Sequence, residues 1–127
     1  MMAVMTQPAR RRVALVSGDL MFESQLGAAL TRNGGSLVAV RGRELPEAEF
    51  DTAFVDLNAD TPYRLGMIAR IREDRPAMEI VAFCHHGEHE IRRQAMALGA
   101  TSCVTNGALQ AVALRLMGVP APPGRRA

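Results

Sequence analysis

The stretch AFVDLNAD, residues 53–60, places a carboxylate where it could do chemistry, at the end of an apolar run. Asp56 follows Ala53, Phe54 and Val55 and precedes a polar turn. A charged carboxylate is costly to bury unless another group pairs with it, so Asp56 requires a partner. Three interpretations are open: Asp56 binds a cation, it accepts a phosphoryl group, or it makes hydrogen bonds that only support the fold.

A second stretch, CHHGEHE at residues 84–90, combines a cysteine with histidines and glutamates, which are common zinc ligands. The histidines are His85, His86 and His89. The stretch is a single loop entering a single helix, and no second cluster completes a four-ligand set, so we do not favour a metal site. The other cysteine, Cys103, could form a redox pair with Cys84 only if the Cα atoms lie within about 7 Å. Two buried, unreactive thiols are the simpler interpretation.

Five short apolar runs alternate with helical stretches along the chain. The runs cover residues 13–16, 37–40, 52–57, 79–83 and 102–105. The helices are predicted to begin near Leu20, at Asp60-Thr61-Pro62 with the Thr61 hydroxyl as cap, before Ile91, and at Ala108. Because Pro46 interrupts residues 41–50, only a turn or two of helix is expected there. Continuous apolar runs separated by helices predict a parallel, doubly wound sheet covered on both faces.

The binding site of such a sheet lies beyond the carboxyl ends of its strands. The residues that follow the predicted strands are Ser17-Gly18-Asp19, Asp56, Cys84-His85-His86 and Thr105-Asn106. We therefore expect any chemistry of this chain to be found among them.

The bulk properties indicate one ordinary domain. A chain of 127 residues with a formal charge of +2 is long enough for a single core. Much of the positive charge lies near the two ends, which argues against a nucleic-acid-binding face. We expect disordered tails at residues 1–11 and 118–127 around a domain at residues 12–117. No secretory signal and no apolar run of about 20 residues is present, so we expect a cytoplasmic protein without membrane contact.

Two segments resemble the CheY-like receiver domain of bacterial response regulators. They are FVDLNAD around Asp56 and EIVAFCHHGEHEIRRQAMALGATSCVTNG at residues 79–107, which includes Leu98-Gly99-Ala100. The resemblance covers residues 12–117. It implies a flavodoxin-like, five-stranded parallel sheet in the order 2-1-3-4-5, here with a shortened second helix. It also implies a part in two-component phosphorelay signalling, and we do not expect an enzyme.

The resemblance implies roles for single residues. Asp56 falls on the family's phosphoacceptor, to which a histidine kinase transfers a phosphoryl group. The positions that contact the phosphoryl oxygens are Cys84 and Asn106, where the family has a hydroxyl residue and a lysine. Cys103 falls on the aromatic switch position. The acidic pair that binds Mg²⁺ with Asp56 falls on Ser17 and Gly18, neither of which is acidic.

These departures predict a weak magnesium site. Its ligands would be Asp56, the backbone carbonyl of Asn58, and Asp19 if that side chain turned inward; we favour Asp19 as a helix cap. Phosphoryl transfer depends on positioning and electrostatics, so losing both metal and lysine should lower its rate by orders of magnitude. Asp56 would then be a carboxylate satisfied by backbone N–H groups and Asn106.

Three functions remain open. The first is a degenerate receiver, or pseudo-receiver, that acts by protein–protein contact with weak or absent phosphorylation at Asp56. Its partner, a histidine kinase or an effector, would bind the face formed in the family by the fourth helix, fifth strand and fifth helix. The second is a functional receiver in which Asp19 replaces the acidic pair. The third, from another class, is a small redox or metal-binding protein that uses Cys84 and the nearby histidines.

Overall fold

A computed structural model describes residues 11–42 and 45–119. The elements in chain order are β1 (Arg12–Val16), α1 (Leu20–Arg32), β2 (Ser36–Val40), β3 (Thr52–Asp56), α2 (Thr61–Asp74), β4 (Glu79–Cys84), α3 (His89–Leu98), β5 (Ser102–Thr105), a 3-10 turn (Asn106–Ala108) and α4 (Leu109–Leu116). Of the predicted disordered tails, only residues 11, 118 and 119 lie within the described residues. No helix in the part described is long and apolar enough to cross a bilayer.

The five strands form one parallel sheet in the order β2-β1-β3-β4-β5. The central strand β3 pairs with β1 on one side and with β4 on the other, and both pairings are parallel. The predicted doubly wound α/β fold with strand order 2-1-3-4-5 is therefore confirmed. Because all strands run the same way, their carboxyl ends share one edge of the sheet.

Both faces of the sheet are buried, which explains why the strands read as continuous apolar runs. On one face the fully buried rings of Phe54 and Phe83 pack with residues of α1 and α4, including Leu26 and Leu109. On the other face, small and branched residues of the strands pack against α2 and α3, as Val55 does with Ile68. Central strands held from both sides provide a rigid base for the residues at their ends.

An irregular loop replaces the shortened second helix that the resemblance implied. None of the described residues between β2 and β3, which are residues 41–42 and 45–51, is helical. Arg75 holds this loop by donating hydrogen bonds to the carbonyls of Pro46 and Ala48, at 2.8 and 2.9 Å. Its guanidinium also lies 5.6 Å from the centre of the Phe50 ring. These contacts fix the loop without a helix.

The start of α2 differs from the prediction at Thr61. Its hydroxyl donates to the carbonyl of Leu57 at 2.9 Å and does not cap the helix. Asp60 precedes the helix in the left-handed conformation, with φ of 52°, and its carbonyl accepts the first helical hydrogen bond from Arg64. This tight turn places the first residues of α2 close to the end of β3.

Candidate functional site

Four polar residues meet at the carboxyl edge of the sheet, as the strand pattern predicted. Ser17 follows β1, Asp56 ends β3, His85 follows β4, and Asn106 follows β5. A fifth residue, Asn58, joins them from the loop between β3 and α2. Hydrogen bonds connect all five into one network.

Both carboxylate oxygens of Asp56 are occupied by hydrogen bonds from the chain itself. Oδ1 accepts from the backbone N–H of Asn58 at 2.8 Å and from its side-chain amide at 2.7 Å. Oδ2 accepts from the Ser17 hydroxyl at 2.7 Å. Asp56 is only 2% exposed, so these bonds replace the water that a buried carboxylate has lost.

Asn106 reaches Asp56 only through Asn58. The two side-chain amides exchange hydrogen bonds of 2.9 and 3.0 Å, each donating its N–H to the other's oxygen. The prediction that Asn106 itself satisfies Asp56 is therefore wrong: the amide of Asn58 lies between them. Asn106 also approaches His85 Nδ1 at 3.4 Å. A neutral amide at this position orients Asn58 but adds no positive charge beside Asp56.

The positive charge beside Asp56 comes from Arg64, which the sequence interpretation did not include. Arg64 Nη1 lies 3.9 Å from Asp56 Oδ2, and the two side chains are only 11% and 3% exposed. The same Nη1 donates a 3.0 Å hydrogen bond to the main-chain carbonyl of Asp56. Nη2 lies 4.0 Å from Oδ2 of Asp60. The guanidinium therefore faces two carboxylates and one carbonyl.

Asp19 caps α1, as the sequence favoured. Its side chain accepts the backbone N–H of Met21 at 2.8 Å. Its own N–H donates to the Ser17 hydroxyl at 3.0 Å. Ser17 therefore accepts from one residue and donates to Asp56, which places a hydroxyl where the family has an acidic residue.

The residues present do not fit the magnesium ion that the resemblance implies. The candidate ligands were Asp19, Asp56 and Asn58. Asp19 caps α1, and Asn58 directs two N–H groups, which cannot bind a cation, at Asp56. Mg²⁺ prefers several oxygen ligands in a near-octahedral arrangement, whereas a guanidinium already lies at 3.9 Å from Asp56 Oδ2. Among residues 11–42 and 45–119, no group of three His, Cys, Asp or Glu side chains is placed to hold a metal ion. The CHHGEHE stretch lies within these residues, so its side chains form no such group.

The two cysteines lie on the neighbouring strands β4 and β5. Cys84 and Cys103 are both buried and free, and their Sγ atoms are 3.9 Å apart, within weak hydrogen-bond distance. Burial, with the neighbouring Cys84 as a further cause, raises the pKa of the Cys103 thiol to about 12. The thiolate is the reactive form of cysteine, so this environment is typical of an inert pair.

The native protein is therefore expected to resist thiol-modifying reagents. Because burial raises the pKa of Cys103, little of this thiol is a thiolate near pH 8, and burial also shields both sulfur atoms from reagents. Iodoacetamide labelling followed by mass spectrometry should show no modification of Cys84 or Cys103 in native buffer and complete modification in guanidinium chloride. Rapid labelling of either cysteine in the native state would instead support the redox alternative.

No protein-family model and no curated protein matches the chain, but solved structures do. A response regulator from Thermotoga maritima matches with a TM-score of 0.74 and 18% identity, over 86% of this chain and 95% of that one. A CheY-like receiver domain protein from Methanospirillum hungatei gives 0.75 and 13%, over 87% and 92%. A response regulator from Burkholderia pseudomallei gives 0.65 and 18%, over 85% and 71%. The chain therefore has the fold of response regulator receiver domains.

Proposed function

We propose that this domain is a pseudo-receiver of the two-component type. It acts by contact with a protein partner, is cytoplasmic and catalyses no reaction, and Mg²⁺-dependent phosphorylation of Asp56 is weak or absent. The observation that carries this proposal is that both oxygens of Asp56 already have partners: Asn58 donates two hydrogen bonds to Oδ1, Ser17 donates one to Oδ2, and the Arg64 guanidinium balances the charge.

The physical reason is electrostatic. A phosphoryl group attached to Asp56 would need to displace these donors and would bring about two negative charges. In an active phosphoryl-transfer site, metal ions and cationic side chains stabilise that charge, and positioning together with this electrostatic stabilisation accounts for almost all of the catalysis. Here Asn106 is neutral and engaged with Asn58, and the candidate magnesium ligands have other partners. The buried pocket therefore favours the unmodified carboxylate.

The test is exposure of the protein to acetyl phosphate with Mg²⁺. We expect no acyl phosphate at Asp56 by intact-protein mass spectrometry, and no change of the amide signals of Asn58 and Asn106 when beryllofluoride and Mg²⁺ are added. An active receiver domain treated in parallel is the positive control, and D56N identifies any labelling elsewhere. Stoichiometric phosphorylation of the wild type that is lost in D56N would contradict the proposal.

The functional receiver is the second candidate, and one observation favours it. Asp56 itself is retained at the end of β3, and the protein of the same fold from Burkholderia pseudomallei carries a phosphorylated aspartic acid and a calcium ion. For this candidate, Asp19 would need to leave its position as the cap of α1. The hydrogen bond from Met21 to Asp19 opposes that movement.

We further propose that a histidine kinase or an effector binds the face made by α3, β5 and α4, which correspond to the family's fourth helix, fifth strand and fifth helix. Arg92 of α3 donates a 2.6 Å hydrogen bond to the carbonyl of Cys103 in β5, which ties the helix to this edge strand. Met96 on the same helix is 44% exposed, and Arg93 is exposed and pairs with Glu90. The face therefore offers both apolar and charged contacts.

A further inference from the structure

The surroundings of the Arg64 guanidinium are those of a cation site. Three oxygen atoms face it: Oδ2 of Asp56 at 3.9 Å, the main-chain oxygen of Asp56 at 3.0 Å, and Oδ2 of Asp60 at 4.0 Å. Carboxylate and carbonyl oxygens are also the ligands that a hard divalent cation prefers. The side chain that fills this position is covalently part of the chain and nearly buried.

We propose that Arg64 is a built-in substitute for the divalent cation of this site and actively excludes it. A Mg²⁺ ion next to Asp56 would lie a few ångströms from a fixed positive charge. In a site as buried as this one, salt screens that repulsion poorly. Arg64 is thus a positioning residue whose charge determines how tightly a divalent cation can bind beside Asp56. This inference rests on the proposed function, because it explains why Asp56 behaves as an unmodified carboxylate.

The inference goes beyond the loss of the acidic pair. If the substitutions at Ser17 and Gly18 alone abolished metal binding, removing Arg64 would have no effect on it. If Arg64 excludes the metal, its removal leaves the carboxylates of Asp56 and Asp60 without their shared cation. A divalent cation in the space that the guanidinium vacates would have the Asp56 carboxylate and main-chain oxygen within reach, and the exposed Asp60 carboxylate could turn toward it. A latent site should therefore become available.

The experiment compares metal binding in four proteins: wild type, R64Q, R64K and R93Q. Mn²⁺ serves as the probe, and paramagnetic broadening of the amide signals of Asn58 and its neighbours gives the affinity. We expect R64Q to bind Mn²⁺ at least about tenfold more tightly than wild type. R64K should resemble wild type, because lysine keeps the charge while losing the planar geometry. R93Q removes an exposed arginine that pairs with Glu90 and should also resemble wild type.

Thermal unfolding provides a second measurement if R64Q is too unstable for NMR. About 10 mM Mg²⁺ should raise the melting temperature of R64Q, or restore its folded signal, and leave wild type unchanged. Equal metal responses in R64Q and wild type would overturn the inference, and so would a gain in R64K as large as that in R64Q. If wild type remains unphosphorylated in these cases, the proposed function survives. If wild type binds Mg²⁺ and is phosphorylated, both fail.

Discussion

Replacing Arg64 by methionine is expected to lower the free energy of unfolding by about 3 kcal/mol. The reason is that Asp56 is almost fully buried and Arg64 is the cation that faces it, at 3.9 Å. Methionine keeps most of the apolar stem, so the loss reports the charge and the hydrogen bond to the Asp56 carbonyl rather than a cavity. Urea unfolding followed by far-UV circular dichroism measures the effect.

A double-mutant cycle with D56N separates the ion pair from the rest. D56N leaves the guanidinium without its buried partner, and R64M leaves the carboxylate without its cation. The variant D56N/R64M leaves neither charge, so its loss should be smaller than the sum of the single losses by about 1–3 kcal/mol. R93M, which breaks the exposed pair with Glu90, should change stability by less than about 0.5 kcal/mol. Strict additivity in the cycle would show that the two charges do not interact.

The fold could be predicted from the sequence because the strands have no exposed face. Val13, Ala14, Leu15 and Val16 are all buried, with alternate residues packed against helices on opposite sides. A run of four apolar residues is therefore required in each central strand, and that run is visible without any alignment. The conformation of the loop after β2 could not be predicted from its own residues. Arg75, about 30 positions later in the chain, holds the loop by hydrogen bonds to main-chain carbonyls, and a local sequence pattern does not show such a contact.

The site was only partly predictable. Asp56, Asn106 and Ser17 follow strands, so topology alone brings them to one edge. Arg64 lies on a helix, and nothing in its local pattern distinguishes it from a solvent-facing arginine. One signal was available: all fifteen basic residues of the chain are arginines, so no lysine can serve as the cation of this site. Arg64 reaches Asp56 because the left-handed turn at Asp60 sets where α2 begins. That conformation is uncommon for a residue other than glycine, so the sequence did not indicate which arginine would serve as the cation.

The site holds one buried carboxylate and one cation close to it. Arg64 on α2 faces Asp56 at 3.9 Å, whereas the resemblance to receiver domains implies a cation at the end of β5, where this chain has the neutral Asn106. Because Arg64 is covalently part of the chain, it cannot dissociate from the site as a metal ion can. Under the proposed function, Asp56 would therefore keep one electrostatic environment, which suits a domain that presents a constant surface to a partner.

Three substitutions together should raise phosphorylation of Asp56 above the weak or absent level that we propose for the wild type. The variant G18D/R64Q/N106K places an acidic residue after β1, removes the internal cation, and supplies a lysine after β5. Gly18 tolerates a side chain, because nothing lies within 4 Å of the position that a Cβ would take. With acetyl phosphate and Mg²⁺, we expect acyl phosphate at Asp56 to form at least about 100-fold faster than in wild type. In the reaction, Asp56 takes the phosphoryl group and acetate leaves.

The order in which the substitutions act tests the electrostatic explanation. R64Q should be required for any Mg²⁺ dependence, and N106K without R64Q should give little rate, because the metal would still be excluded. Chelation by EDTA and a fourth substitution, D56N, should each abolish the reaction. A folded triple variant that binds Mg²⁺ and still forms no acyl phosphate would show that geometry limits the site. The thiol of Cys84, a weak donor where the family has a hydroxyl, would then be the next group to replace, by C84T.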